Sequence, residues 1–100
     1  MTKSEFYARL IEHLGVENQL MKAVEELNEL GQAICKSCSK GENKIKCIEQ
    51  VVEEIADVEI MLEQVKQIFE IDEKVVGRIK AHKIHRTARK YGIIDERGEA

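Results

Sequence analysis

Apolar residues recur along this chain at the three- and four-residue spacing of helices, not at the alternation of strands, and they fall into four blocks. The first predicts a helix over about 4–13, with Ser4 as N-cap and Phe6, Leu10, Ile11 and Leu14 on one side, stopped by Gly15. The second begins at Val16 or Glu17 and runs to about Ser39, because Leu20, Met21, Val24, Leu27, Ile34, Cys35 and Cys38 share a face. Gly31 lies on that face, where a glycine costs about 1 kcal/mol of helix propensity, so close approach of another helix is its expected justification. Lys40-Gly41-Glu42-Asn43 is the strongest break. The third block, Ile45 to about Phe69, is apolar over most of its circumference and predicts a helix surrounded by others. Asp72 then caps a fourth helix over 73–91, ended by Gly92, and the residues from Asp95 to Ala100 read as a fraying tail. The expected fold is therefore all-α: a single domain spanning 1–100, a bundle of four helices with two long central antiparallel ones.

Two acidic residues interrupt the apolar arc of the third block. At about 100° per residue, Glu54 and Asp57 fall inside or beside the arc formed by Val51, Val58, Met61, Leu62 and Val65. A buried carboxylate is costly unless something pairs with it. The second block repeats the spacing with Glu26 and Glu29. Residues three apart on a helix are neighbours, so each pair offers two oxygen groups to one ion. Antiparallel packing of the two helices would bring Glu26, Glu29, Glu54 and Asp57 into one cage of hard oxygen ligands, a set that prefers Mg²⁺ or Mn²⁺ to zinc.

The composition narrows the class without naming the function. One hundred residues suit one small core, and the absence of proline with 4% aromatics fits long helices. A chain this short cannot cover its own third helix, so a homodimer or homotetramer is expected. The net charge of -3 gives no global footprint for nucleic acid. No apolar run reaches the roughly 20 residues of a membrane span, and the first residues lack the apolar segment of a signal peptide, so a cytoplasmic location without membrane partners is expected. Cys35, Cys38 and Cys47 suggest no disulfide framework and read as small buried apolar groups; His82 and His85 lack a third soft ligand nearby.

The run Asn18-Gln19-Leu20-Met21-Lys22-Ala23-Val24-Glu25-Glu26-Leu27-Asn28-Glu29-Leu30, followed after the Gly41 break by Glu53-Glu54-Ile55-Ala56-Asp57-Val58, resembles the MazG-like nucleoside triphosphate pyrophosphohydrolases of the all-α NTP pyrophosphatase superfamily. That family's signature is E-E-x-x-E, a spacer, then E-x-x-D, and the likeness spans nearly the whole chain. The resemblance implies magnesium-dependent hydrolysis of a nucleoside or deoxynucleoside triphosphate to the monophosphate and pyrophosphate, a housecleaning of nucleotide pools. It makes Glu26, Glu29, Glu54 and Asp57 the metal ligands and leaves Glu25 or Glu53 to orient the attacking water. Lys83 and Arg86 resemble the basic pair that closes the family's motif set, with Arg78 a further candidate for the phosphates. Asn18 and Gln19 are candidates for the base or sugar edge, or for helix capping. The competing expectation is a noncatalytic helical module whose acidic faces are surface and whose basic fourth helix binds a partner or nucleic acid.

Overall fold

The structure, a computed structural model, describes residues 1–98. It contains four helices, α1 (Lys3–Leu14), α2 (Val16–Ser37), α3 (Lys44–Ile68) and α4 (Glu73–Tyr91), and no strand among the described residues. Two compact units divide the chain: Met1–Phe69 carries α1 to α3, and the second, from Glu70, carries α4.

Within the first unit α2 and α3 form an antiparallel hairpin. Gln19 meets Gln64 near one end, Glu29 and Glu54 meet in the middle, and Lys36 lines a cavity with Cys47 near the connecting turn. The inner row of α2 is Gln19, Ala23, Glu26, Leu30 and Ala33; that of α3 is Cys47, Val51, Glu54, Val58, Met61 and Val65, all buried or half-buried. Alternating steps of four and three are the spacing by which ridges of one helix seat in grooves of another at a shallow crossing. Val58 and Met61 are buried in this seam, and burial of such side chains contributes about 1.5–3 kcal/mol each.

This inner row corrects the expected one. Met21, Val24, Leu27 and Ile34 are exposed, as are Ile45, Ile48, Val52 and Ile55, so the most apolar sides of both long helices face away from their mutual contact. Gly31 shares that outward side, and a β-carbon built on it would meet nothing within 4 Å; the close approach expected of it does not occur within the α2–α3 hairpin. Only Cys47 of the three cysteines is buried.

α1 is capped by Thr2, not Ser4: the Thr2 hydroxyl accepts from the Glu5 N–H, and the Glu5 carboxylate accepts from the Thr2 N–H. Its buried residue is Tyr7, while Phe6 and Leu14 are exposed. The Tyr7 hydroxyl donates to Glu63 at 2.8 Å, the Lys3 ammonium reaches the same carboxylate at 2.9 Å, and Gln67 donates to the Ser4 carbonyl, which fixes α1 on the C-terminal part of α3. A single residue, Gly15, separates α1 from α2, with φ 97°, a conformation that favours glycine.

In the second unit the expected bounds of α4 hold. Asp72 accepts from the Lys74 N–H, and Gly92 closes the helix in the left-handed conformation. No residue of α4 is buried. Of the tail expected from Asp95, the described part is a turn in which Asp95 accepts from the Arg97 and Gly98 N–H groups; Glu99 and Ala100 lie outside the described residues.

Candidate metal centre

The hairpin register decides which acids meet. Glu26 sits in the inner row of α2, with Glu29 one turn later on its polar flank; Glu54 sits in the inner row of α3. Antiparallel pairing sets these three side by side, and one carboxylate oxygen of each lies within 4.8 Å of the others. Glu26 is buried, and Glu29 and Glu54 are half-buried. Glu26 Oε2 and Glu54 Oε2 are enclosed and have no hydrogen-bond partner, which for a buried oxygen costs about 1–3 kcal/mol.

The electrostatics show the strain of gathering these charges. The Glu29 carboxyl is held above its usual range, first by a hydrogen bond with Glu26, then by the Glu26 charge, loss of solvent, and the charges of Glu54 and Glu25. The Lys22 ammonium pairs with two of these acids, 3.2 Å from Glu26 and 3.6 Å from Glu25. Its own pKa is raised, first by the hydrogen bond to Glu26 and then by the Glu25 and Glu26 charges. Because Lys22 pairs with Glu26 Oε1, the Oε2 atom is left for something else. Lys22 was not among the expected site residues, although it stands one helical turn before Glu26 and that spacing could have found it.

Asp57, the fourth expected ligand, is exposed and stands outside the close cluster of three. It lines a cavity of about 340 Å³ with Glu26, Lys22, Gln19, Gln64 and apolar groups from α1 and α3, among them Leu10 and Met61. Glu25 and Glu53 are exposed; Glu25 faces Lys22 and lines a separate shallow hollow with Asn18 and Asn28. On the cluster's other side Glu29 and Glu54 border a polar hollow with Gln32, Lys36 and Gln50.

Asn18 and Gln19 have structural work. The Asn18 amide donates to the Leu14 carbonyl at 2.7 Å and so closes the end of α1. Gln19 is buried and donates to Gln64 Oε1 at 2.7 Å, and Gln64 is the most enclosed side chain described. The pair forms a polar patch in the wall of the 340 Å³ cavity. Gln64 gave no signal in the sequence beyond a polar residue in an apolar helix.

Arg78, Lys83 and Arg86 are exposed on α4, in the second unit. No helix among the described residues is long and apolar enough to cross a membrane.

The donor set is all oxygen, partly buried, negative in excess of its one lysine, and has two enclosed oxygens without partners; a hard divalent cation fits each of these properties. Compared with family models, with characterised proteins and with solved structures, the chain finds no match.

Proposed function

We propose that the protein is a Mg²⁺- or Mn²⁺-dependent nucleoside triphosphate pyrophosphohydrolase of the MazG-like kind, converting a nucleoside or deoxynucleoside triphosphate to monophosphate and pyrophosphate. The observation that carries the reading is the meeting of Glu26, Glu29 and Glu54 within 4.8 Å around two enclosed, unpartnered oxygens. Glu26, Glu29 and Glu54 would hold the cation from two helices, while Asp57 stands outside the cluster and lines the neighbouring cavity. A bound divalent cation supplies charge neutralisation of the phosphates and a more acidic water.

The chain's own groups do the rest. Lys22 holds Glu26 in place through one oxygen and leaves the other for the cation. Glu25 or Glu53, both exposed, takes the proton of the attacking water. The cavity bounded by Leu10, Met61, Gln19 and Gln64 receives the nucleoside, its amides meeting a polar edge and its apolar wall the ring face.

The test is pyrophosphate release from a panel of standard and modified triphosphates with Mg²⁺, run beside Glu54→Gln and Glu26→Gln. Each substitution is expected to lower turnover at least about a hundredfold while far-ultraviolet circular dichroism stays helical. Release by the wild type that either variant retains unchanged refutes the assignment. The noncatalytic module is the second reading. It draws on α4, whose lysines and arginines far outnumber its one glutamate and none of whose residues is buried. Steeply salt-dependent nucleic-acid binding without any metal response would favour it.

A further inference from the structure

The cysteines at the connecting end of the α2–α3 hairpin have no part in the hydrolase reading. Cys35 and Cys38 are both exposed, whereas Cys47, in the first turn of α3, is buried. Zinc sites take roughly three or four protein ligands, and among the described residues no group of three potential ligands includes a cysteine. What remains is a pair of solvent-facing thiols at C-x-x-C spacing, held where α2 ends. That end is wound more tightly than an α-helix. The Cys38 N–H donates to the Cys35 carbonyl and the Ser39 N–H to the Lys36 carbonyl, each at 3.1 Å and each across three residues. In such a turn residues three apart stand one above the other, about 6 Å apart along the axis. A disulfide joins α-carbons over a range of about 4.4–6.8 Å, so the backbone already holds Cys35 and Cys38 at bonding distance.

We propose that Cys35 and Cys38 form a reversible dithiol–disulfide pair, a redox modification site whose oxidant is a small anionic disulfide such as oxidised glutathione. The exchange balances as two displacements. One cysteine thiolate attacks a sulfur of the oxidant, forming a mixed disulfide and releasing a glutathione thiolate; the other then attacks the cysteine sulfur of the mixed bond and releases the second. The two cysteine protons end on the two departing thiols, so one disulfide is reduced as one is made. The surroundings suit an anionic partner. Residues 36–46 carry Lys36, Lys40, Lys44 and Lys46 against Glu42 alone, and all five are exposed, so the local field draws a net-negative oxidant to the thiols. The bond is a labile one. β-Carbons three apart on a helix stand about 5–6 Å apart, against about 3.5–4.5 Å in a relaxed disulfide, so closure has to pull in the last turn of α2. That turn can yield because no helix follows it until Lys44, and strain of this kind makes a disulfide easy to reduce. The fold therefore rests as the dithiol and closes the bond when the thiol buffer turns oxidising. The inference stands apart from the hydrolase reading, since neither cysteine belongs to the carboxylate cluster.

Mass spectrometry of the full chain tests it. The reduced protein is equilibrated without air in buffers running from reduced to oxidised glutathione, alkylated with N-ethylmaleimide in denaturant and digested with trypsin. Lys36 lies between the two cysteines, so trypsin cuts inside the C-x-x-C, and a Cys35–Cys38 bond leaves peptides 23–36 and 37–40 joined until a reductant parts them. At the oxidising end the undigested protein is expected to keep the mass of one chain and to take up one maleimide, on Cys47, where the reduced protein takes up three. Cys47→Ala is expected to give the same joined peptides, and Cys35→Ser to stop at a glutathione adduct on Cys38. Three free thiols at every buffer ratio overturn the inference. So does a wild type whose oxidation ends in glutathione adducts, or in a bond that engages Cys47 or links two chains.

Discussion

Adding Mn²⁺ or Mg²⁺ to the protein is expected to raise its Tm, and replacing Glu54 with glutamine is expected to remove most of that rise. Three carboxylates offer oxygens within 4.8 Å, two of them with enclosed atoms that have no hydrogen-bond partner among the described residues, so a cation bound there acts only on the folded state. At a hundred times its Kd such a ligand stabilises by about 2.7 kcal/mol, which in a chain of this length is about 10–15 °C. Losing even an outer partner of a metal ligand weakens binding by about 10–100-fold, and losing a direct ligand costs no less. At the same metal concentration Glu54→Gln then retains about 0.4 kcal/mol, or about 2 °C. Without metal the order reverses. The glutamine removes one like charge and gives the cluster two N–H donors, a gain of about 1 kcal/mol and a Tm above that of the wild type. Differential scanning fluorimetry with chelator, Mg²⁺ and Mn²⁺ reads all of these. A wild type indifferent to millimolar metal, or a Glu54→Gln that responds as the wild type does, refutes the cation-binding argument.

The buried amide pair and the pH dependence offer further checks. Gln64→Leu strands the buried Gln19 amide and is expected to cost about 1–3 kcal/mol in urea unfolding, while Gln19→Leu added to it costs less than the sum. Glu63 is held below its ordinary value first by the hydrogen bond to Lys3 and then by that from Tyr7. Its contribution is therefore present above the usual carboxylate value and lost as pH falls through the lowered one. Tyr7→Phe is expected to cost about 1 kcal/mol and to flatten that acid limb in pH-dependent Tm measurements. Glu29 has the opposite sign. Its raised pKa makes the metal-free fold gain stability as pH falls through that value, and metal stabilisation fades over the same window as protons displace the cation.

The elements were legible where local chemistry sets them. Asp72 and Gly92 bound α4 in the sequence as in the structure, because one side chain and one left-handed residue settle a helix end. The cap of α1 was also legible in Thr2 and Glu5, a capping box three residues apart, yet Ser4 drew the reading two residues inward. Glu54 stood out because it interrupts an apolar arc, and its enclosed oxygen agrees. The inner row of α2 was not legible. Hydrophobicity points to the side holding Val24 and Leu27, whereas the helices meet through Gln19, Ala23, Glu26 and Ala33. Apolar character says that a side seeks cover, not which neighbour supplies it. The Gln19–Gln64 pair was hidden for a related reason: each amide looks like surface until its partner, 45 residues away, is placed beside it.

The hairpin stores its sidedness in phase, not in composition. Glu25, Glu26 and Leu27 are consecutive, yet one faces the rim, one the neighbouring helix and one the apolar side. A single residue inserted early in α2 turns everything beyond it by about 100°, which would move Glu26 to the place of Leu27 on the apolar flank and Asn28 to the place of Glu29 in the cluster. Seven inserted residues restore the orientation to within about 20°. Such a chain can lengthen its two rods only by whole repeats, and in matched steps on both, if it is to keep its carboxylates on one flank and its exposed apolar residues on the other.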